Sequence, residues 1–256
     1  MVIVTLGTSH GNPTWCRYNS STLFECGSGT YMIDAGAPCD AQMIRAGRHP
    51  RHLKAVFLTH CHTDHMGGLP ILLKYILKYA DKYPGEIPHC KVFLPDEGIW
   101  EAMVGFMKVM TVAAERIDRY LEPHVVKPGL NYEDENIYVE AIPTAHVASV
   151  GRKSFAYLLT EKETGKTVLY SGDLKADFSD FPTYATETPV DLAFCECTHY
   201  RPEKSLDLLS RCKFGRLIFN HVYDSWHGEG AGELLAQTKD LPYPIQIAHD
   251  LEEFWL

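Results

Sequence analysis

Short apolar runs of strand length recur along this 256-residue chain, and most of them end in polar, titratable residues. Runs of this length, bounded by turns rich in Gly, Pro and Asn, are typical of buried β-strands. They occupy residues 2–6, 21–26, 30–36, 53–59, 91–95, 136–143, 154–160, 167–173, 191–197, 216–222 and 244–256. The last run ends in a short tail. The pattern predicts a sheet-rich chain whose strand ends carry the candidate chemistry.

Three segments between these runs have apolar residues at helical spacing. They are residues 69–83, followed by a turn at Pro84-Gly85, residues 97–120, and residues 203–212. Strands interleaved with helices predict an α/β fold with buried sheet faces. Because the sequence shows no repeats and no linkers, we expect one domain over residues 1–256.

The helix predicted over residues 97–120 carries three methionines, Met103, Met107 and Met110, on one apolar face. Such a face is typical of core packing or of a dimer contact. A lid over a cleft is the third interpretation, because flexible methionine side chains adapt to apolar ligands.

Composition and charge exclude several classes of protein. The formal net charge of −9 makes a broad phosphate-binding surface unfavourable, so we expect long nucleic acid not to be a partner. No apolar run reaches the roughly 20 residues that span a bilayer, and no signal peptide pattern opens the sequence. We therefore expect a cytoplasmic protein without membrane contact. The eight cysteines form no C-x-x-C pair, which argues against a disulfide framework. The composition is unusual in one respect, its high number of histidines, which is 13.

Four of the metal-capable residues form an H-x-H-x-D-H motif directly after the run at residues 53–59: His60, His62, Asp64 and His65. In an extended loop, residues i and i+2 point the same way, so His60 and His62 can address one ion. Asp64 and His65 begin a turn and can address a second ion nearby. Imidazole and carboxylate ligands suit zinc, and also manganese or iron.

Later strand ends supply further candidate ligands. His146, Asp173 and His221 each follow an apolar run, so we expect all three at the same edge of a sheet. A carboxylate such as Asp173 can bridge two cations. A hydroxide held between two cations is a nucleophile at neutral pH, because the positive charges lower the pKa of the bound water.

With these motifs in place, the chain resembles the metallo-β-lactamase-fold hydrolases, and most closely their ribonuclease Z-like phosphodiesterase branch. The segments that carry the resemblance are LGTSHGNPTWCRYNSS, YMIDAG, HCHTDHMGGLP, His146, YSGD and NHV. The resemblance implies a four-layer αβ/βα sandwich and two divalent metal ions, zinc foremost. The first ion would be held by His60, His62, His146 and Asp173. The second would be held by Asp64, His65, His221 and the shared Asp173.

The expected reaction is hydrolysis of a small phosphodiester, such as a cyclic nucleotide, by the bridging hydroxide. Asp64 would orient the nucleophile or take its proton. Glu196 and His199, in the segment CECTHY, are the candidates for the general acid, and a supporting role for either stays open.

Other functions of the same fold remain as alternatives. Esterase or lactonase activity is one, and a non-catalytic ligand-binding protein is another. A tRNA 3′-processing endonuclease is a third, but the resemblance is incomplete there, because the long basic arm and the further histidine motif of ribonuclease Z are absent from the sequence. A homodimer is possible, although no residue pattern identifies its interface.

Overall fold

The computed structural model describes residues 1–83 and 89–256, so the turn predicted at Pro84-Gly85 lies outside the described residues. The strands are β1 Val2–Gly7, β2 Ser21–Cys26, β3 Gly29–Ile33, β4 Leu53–Phe57, β5 Cys90–Leu94, β6 Leu121–Val125, β7 Gly129–Glu133, β8 Ile137–Thr144, β9 Ser154–Glu161, β10 Thr167–Tyr170, β11 Leu192–Cys197, β12 Leu217–Val222, β13 Ile245–Ile247 and β14 Glu252–Trp255. The α-helices are α1 Cys39–Arg45, α2 Thr63–Met66, α3 Leu69–Lys82, α4 Ile99–Val109, α5 Ala114–Tyr120, α6 Tyr184–Glu187, α7 Pro202–Arg211 and α8 Gly230–Thr238.

The strands form two seven-stranded mixed sheets. The first has the order β14-β1-β2-β3-β4-β5-β6 and the second has the order β13-β12-β11-β10-β9-β8-β7. Strands β3 to β6 run parallel in the first sheet, as do β10 to β13 in the second. Parallel strands buried on both faces read as continuous apolar runs, which explains why the sequence predicted all of these strands except β6, which is mostly exposed.

Alternation of side chains along each strand builds three apolar layers. In β4, Phe57 enters the core between the two sheets, whereas Val56 enters the layer under α1, α3, α4 and α5. In β11, Phe194 enters the core between the sheets and Cys195 enters the layer under α6, α7 and α8. Helices therefore cover both outer faces, and the predicted four-layer αβ/βα sandwich is confirmed.

The prediction of one continuous helix over residues 97–120 is wrong, because two helices, α4 and α5, occupy this stretch. The chain turns between them at Thr111, whose φ of +64° is incompatible with a continuous helix. Met103 and Met107 are buried in the layer between the first sheet and its helices, and Met110 packs against that layer. The interpretation of this methionine face as core packing is therefore confirmed, and the lid interpretation is wrong.

Several elements carried too weak a local signal to be predicted. The C-terminal tail is in fact strand β14, which pairs antiparallel with β1. The edge strands β6 and β7 and the helices α1 and α8 were also missed. Among the described residues, no helix is long and apolar enough to cross a membrane. The assignment of residues 1–256 to one domain stays a prediction.

Candidate metal centre

The strand ends bring the sequence-predicted ligands together in two groups at one edge of the sandwich. The first group contains His60, His62, His146 and Asp173, whose ligand atoms all lie within 4.8 Å of one another. His62 Nδ1 lies 2.9 Å from His60 Nε2 and 3.4 Å from His146 Nε2. The Oδ2 atom of Asp173 lies 3.5 Å from His60 Nε2 and 3.7 Å from His146 Nε2.

The second group contains Asp64, His65, His221 and again Asp173. The Nε2 atom of His65 lies 3.4 Å from Asp64 Oδ2 and 3.2 Å from Asp173 Oδ1. The Nε2 atom of His221 lies 3.1 Å from Asp64 Oδ2 and 3.6 Å from Asp173 Oδ1. The two oxygens of Asp173 thus face different groups, as a bridging carboxylate would.

The donor set fits two divalent cations. Donors about 2.0–2.1 Å from a tetrahedral zinc ion stand roughly 3.3 Å from one another, close to the separations in both groups. Both carboxylate oxygens of Asp173 and Nε2 of His65 are buried, and none of them has a hydrogen-bond partner in the described part of the chain. Because an unpaired buried polar atom costs free energy, a cation that ligates these atoms removes the penalty.

Two of the histidines are oriented by hydrogen bonds from their outer ring nitrogens. His60 Nδ1 lies 3.0 Å from the hydroxyl oxygen of Thr59, and His146 Nδ1 lies 3.0 Å from the carbonyl oxygen of Leu174. A carbonyl only accepts, so the proton of His146 is assigned to Nδ1. The same assignment for His60 follows because the Thr59 hydroxyl already donates to Asp34. Both Nε2 atoms therefore present a lone pair to the first group.

Asp34 is the residue of the site that sequence reasoning missed. Its carboxylate is fully buried, accepts the Thr59 backbone N–H at 2.8 Å, and lies 2.7 Å from His65 Nδ1. A carboxylate at this position holds the proton on Nδ1 of His65, so Nε2 faces the second group with its lone pair free. The only signal was its place at the end of the run YMID, since no ligand spacing connects residue 34 with residue 65.

Electrostatics favour the ligand forms of His60, His62 and Asp173. Burial lowers the pKa of His60 well below its ordinary value, and burial also lowers the pKa of His62, so both imidazoles are neutral near pH 7. Burial acts to raise the pKa of Asp173, but the neighbouring imidazoles outweigh it and hold that pKa well below the usual range. His65 differs: burial acts to lower its pKa, but the carboxylates of Asp173 and Asp34 outweigh burial and raise that pKa well above its ordinary value. A cation held by His65 therefore has to displace a proton from this imidazole.

Glu196 and His199 lie beside the two groups. The buried Glu196 carboxylate accepts the backbone N–H groups of Leu174, Thr198 and His199, at 2.7, 2.8 and 2.9 Å. It also lies 3.0 Å from His199 Nδ1. Burial acts to lower the pKa of His199, but the hydrogen bond with Glu196 outweighs it and raises that pKa to about 9. Glu196 thus fixes both the loop after Asp173 and the ring of His199, which is partly exposed.

Comparison with known proteins agrees with this architecture. The family profile of the anti-Pycsar protein Apyc1 matches residues 1–205. The chain belongs to this Apyc1 family. It is also 30% identical to ribonuclease Z of Bacillus cereus strain B4264 over an alignment that covers 99% of each chain. A ribonuclease Z of Methanocaldococcus jannaschii is 29% identical over 63% of this chain, a match that spans only 48% of that relative.

Among solved structures, the metallo-β-lactamase fold protein YhfI from Bacillus subtilis superposes with a TM-score of 0.77 at 18% identity, covering 99% of this chain and 98% of YhfI. Members of the Apyc1 family and ribonuclease Z thus share this chain's sequence features, and YhfI shares its fold. The chain is a ribonuclease Z-like hydrolase of the metallo-β-lactamase fold, as the sequence predicted.

Proposed function

We propose that this chain is a phosphodiesterase that holds two divalent cations, the first through His60, His62 and His146, the second through Asp64, His65 and His221, with Asp173 shared. The observation that carries the proposal is the placement of the two Asp173 oxygens, which are buried, unpartnered in the described residues and directed to different groups. Zinc suits the imidazole-rich donor set best, and manganese or iron fits the same ligands.

Bound there, the cations supply positive charge that polarises a phosphoryl oxygen and lowers the pKa of a water molecule to near neutrality. Asp64, which lies against both His65 and His221, orients the attacking water and takes its proton. His199 stands at the partly exposed rim and protonates the departing oxygen. Glu196 positions His199, since its carboxylate oxygens are occupied by backbone N–H groups and by the imidazole.

A small phosphodiester, such as a cyclic nucleotide, is the substrate class that we favour. The curated relatives are ribonucleases by name. The expectation that long nucleic acid is excluded is therefore not supported, and cleavage of RNA is the second candidate function. The predicted homodimer and the predicted cytoplasmic location stay predictions.

Elemental analysis of the purified chain, combined with a substrate panel, tests the proposal. We expect two divalent cations per chain and faster hydrolysis of bis(p-nitrophenyl) phosphate than of p-nitrophenyl phosphate. Lactones and thioesters in the same panel test esterase or lactonase activity, and a 3′-extended tRNA tests the endonuclease. Asp64→Ala should abolish diester hydrolysis in metal-replete buffer. One cation or none, or full activity in Asp64→Ala, contradicts the proposal.

A further inference from the structure

The candidate ligand His146 stands on a loop, the segment of residues 145–153 between β8 and β9. Its side chain is 11% exposed, whereas the side chain of His60 is fully buried. A loop residue near the surface is less constrained by packing than a residue in the core. The position of His146 therefore depends on what its loop is bound to.

The carboxylate of Asp180 joins this loop to the segment that carries Asp173. Its Oδ2 atom accepts the backbone N–H of Ala145, the residue before His146, at 2.7 Å. Its Oδ1 atom accepts the backbone N–H of Lys175, two residues after Asp173, at 2.9 Å. Hydrogen bonds to an ionised acceptor are roughly twice as strong as neutral ones. One side chain thus ties together the backbones beside two candidate ligands.

A further contact between the two segments involves the His146 ring itself. His146 Nδ1 lies 3.0 Å from the carbonyl oxygen of Leu174, so the ring keeps this partner only while the segments stay at their present separation. The Leu174 N–H donates to the buried Glu196 carboxylate at 2.7 Å. Since Glu196 also holds the Asp173 segment, the loop of His146 is the side that depends more on Asp180.

Buried aromatic side chains on both sides hold Asp180 in place. Phe178 and Phe181 are 2% and 3% exposed, and their rings stack with centroids 4.8 Å apart. The Phe178 ring also packs on Tyr200, with centroids 4.5 Å apart. The φ of Phe178 is +61°, a conformation that costs a bulky residue free energy and persists only where the surroundings enforce it. The turn that presents Asp180 is therefore firmly anchored, as a positioning group requires.

We propose that Asp180 is a positioning residue for the first cation. It acts through the backbone N–H of Ala145, which sets where His146 Nε2 stands relative to the Oδ2 atom of Asp173, 3.7 Å away. A shift of the His146 loop moves this donor away from an ion that the other three ligands hold. The inference rests on the proposed function and goes beyond it, because Asp180 is neither a candidate ligand nor a candidate acid.

Titration of the cation-free protein with Zn²⁺, in competition with a chromophoric chelator, tests this role. Asp180→Asn keeps the shape of the side chain but offers one acceptor and one donor, so one of the two backbone N–H groups faces an NH₂ group. We expect the affinity for the first cation to fall about 10- to 100-fold, the usual effect of losing a group that orients a metal-ligating histidine. The affinity for the second cation should change much less, because both hydrogen bonds of Asp180 within the described residues go to the segments of His146 and Asp173.

Two further variants make the titration specific. His146→Ala removes a ligand of the first group alone, so it identifies which binding step belongs to the first cation. Asp177→Asn is the matched control, because Asp177 is an exposed carboxylate of the same turn whose hydrogen bonds come from Lys175 Nζ and from the N–H and hydroxyl of Ser179. We expect this control to bind both cations with wild-type affinity. A loss at the first cation as large as that in Asp180→Asn would overturn the proposal, because any disturbance of the turn would then suffice.

The same titration separates a positioning role from a structural one. Unchanged affinity for the first cation in Asp180→Asn overturns the proposal. Equal losses at both cations, together with a lower free energy of unfolding of the cation-free protein, overturn it as well. A wild-type chain that binds fewer than two cations refutes the proposed function, whereas two cations in the wild type with no change in Asp180→Asn refute this inference alone.

Amide hydrogen exchange of the cation-free wild-type chain tests the contact without any variant, so the test survives if Asp180→Asn does not fold. We expect the Ala145 amide to exchange more slowly than the amide of an unstructured peptide, because Asp180 holds it before any cation binds. Exchange at the rate of an unstructured peptide overturns the proposal.

Discussion

Replacing Asp34 by asparagine tests whether this buried carboxylate controls the second group of candidate ligands. The aspartate accepts from Thr59 on one side and lies 2.7 Å from His65 Nδ1 on the other. An asparagine of the same shape offers one acceptor and one donor in place of two acceptors. If its NH₂ faces His65, the imidazole proton must move to Nε2, which removes the lone pair that a cation needs. If the amide is flipped, its NH₂ group faces the Thr59 backbone N–H, so that two hydrogen-bond donors oppose each other.

We expect Asp34→Asn to weaken binding of the second cation about 10- to 100-fold, the usual effect of losing a partner of a metal-ligating histidine, or about 1.4–2.7 kcal/mol. The first cation should be affected less, since His60, His62 and His146 do not contact Asp34 directly. Asparagine tolerates the φ of +57° at this position, so the fold should persist. Competition with a chromophoric chelator measures both affinities.

Asp134→Asn is the matched control. Asp134 is a partly buried carboxylate in the turn between β7 and β8, where it accepts from the hydroxyls of Tyr31 and Tyr132. We expect this variant to bind two cations with wild-type affinity. Wild-type affinity for the second cation in Asp34→Asn would refute the reasoning, since His65 would then be oriented without this carboxylate.

Three further predictions concern the acid, the backbone and the cations. His199→Gln should lower kcat for alkyl diesters about 10²- to 10⁴-fold. The loss of kcat should be much smaller for p-nitrophenyl esters, because the departing phenolate needs little protonation. Equal losses of kcat on the two kinds of ester would contradict the role of His199 as the general acid. Gly172→Ala should lower the free energy of unfolding, measured by denaturant titration, by at least about 1–2 kcal/mol. The reason is that φ at this position is +57° and the added Cβ would lie 2.9 Å from the Phe155 carbonyl oxygen and 3.0 Å from Thr59. An unchanged free energy of unfolding would contradict the clash. Chelation should abolish activity and lower the Tm measured by calorimetry, since a cation at 100 times its Kd stabilises by about 2.7 kcal/mol; an unchanged Tm would contradict the ligand assignment.

The buried parallel strands were predictable because they read as apolar runs, as LAFC does in β11. The edge strand β6 was not predictable, because its segment LEPHV contains a proline and is mostly exposed. The break between α4 and α5 was missed because the apolar spacing continues across Thr111 and gives no sign of its left-handed backbone. The local pattern of apolar residues thus predicted the central strands better than the edge strands and the break between α4 and α5.

The candidate ligands were predictable to a greater extent than the groups that orient them. His60, His62, Asp64 and His65 share one short motif, and Asp173 and His221 end apolar runs. Asp34 belongs to no such motif. Its role depends on β3 and β4 being parallel neighbours, which places residue 34 beside Thr59 and next to His65. That pairing is a property of the sheet order, which the sequence pattern does not state.

The candidate ligands come from both sheets, which has a consequence for how the chain assembles. Asp64 and His65 follow β4 of the first sheet, whereas Asp173 and His221 belong to the second, and the contact between His221 and Asp64 joins residues 157 positions apart. Contacts of such long sequence separation close late in folding, because the chain entropy lost in closing them is large. The complete second site therefore exists only after the two sheets have docked, and cation uptake during refolding reports that docking step rather than nucleating the fold.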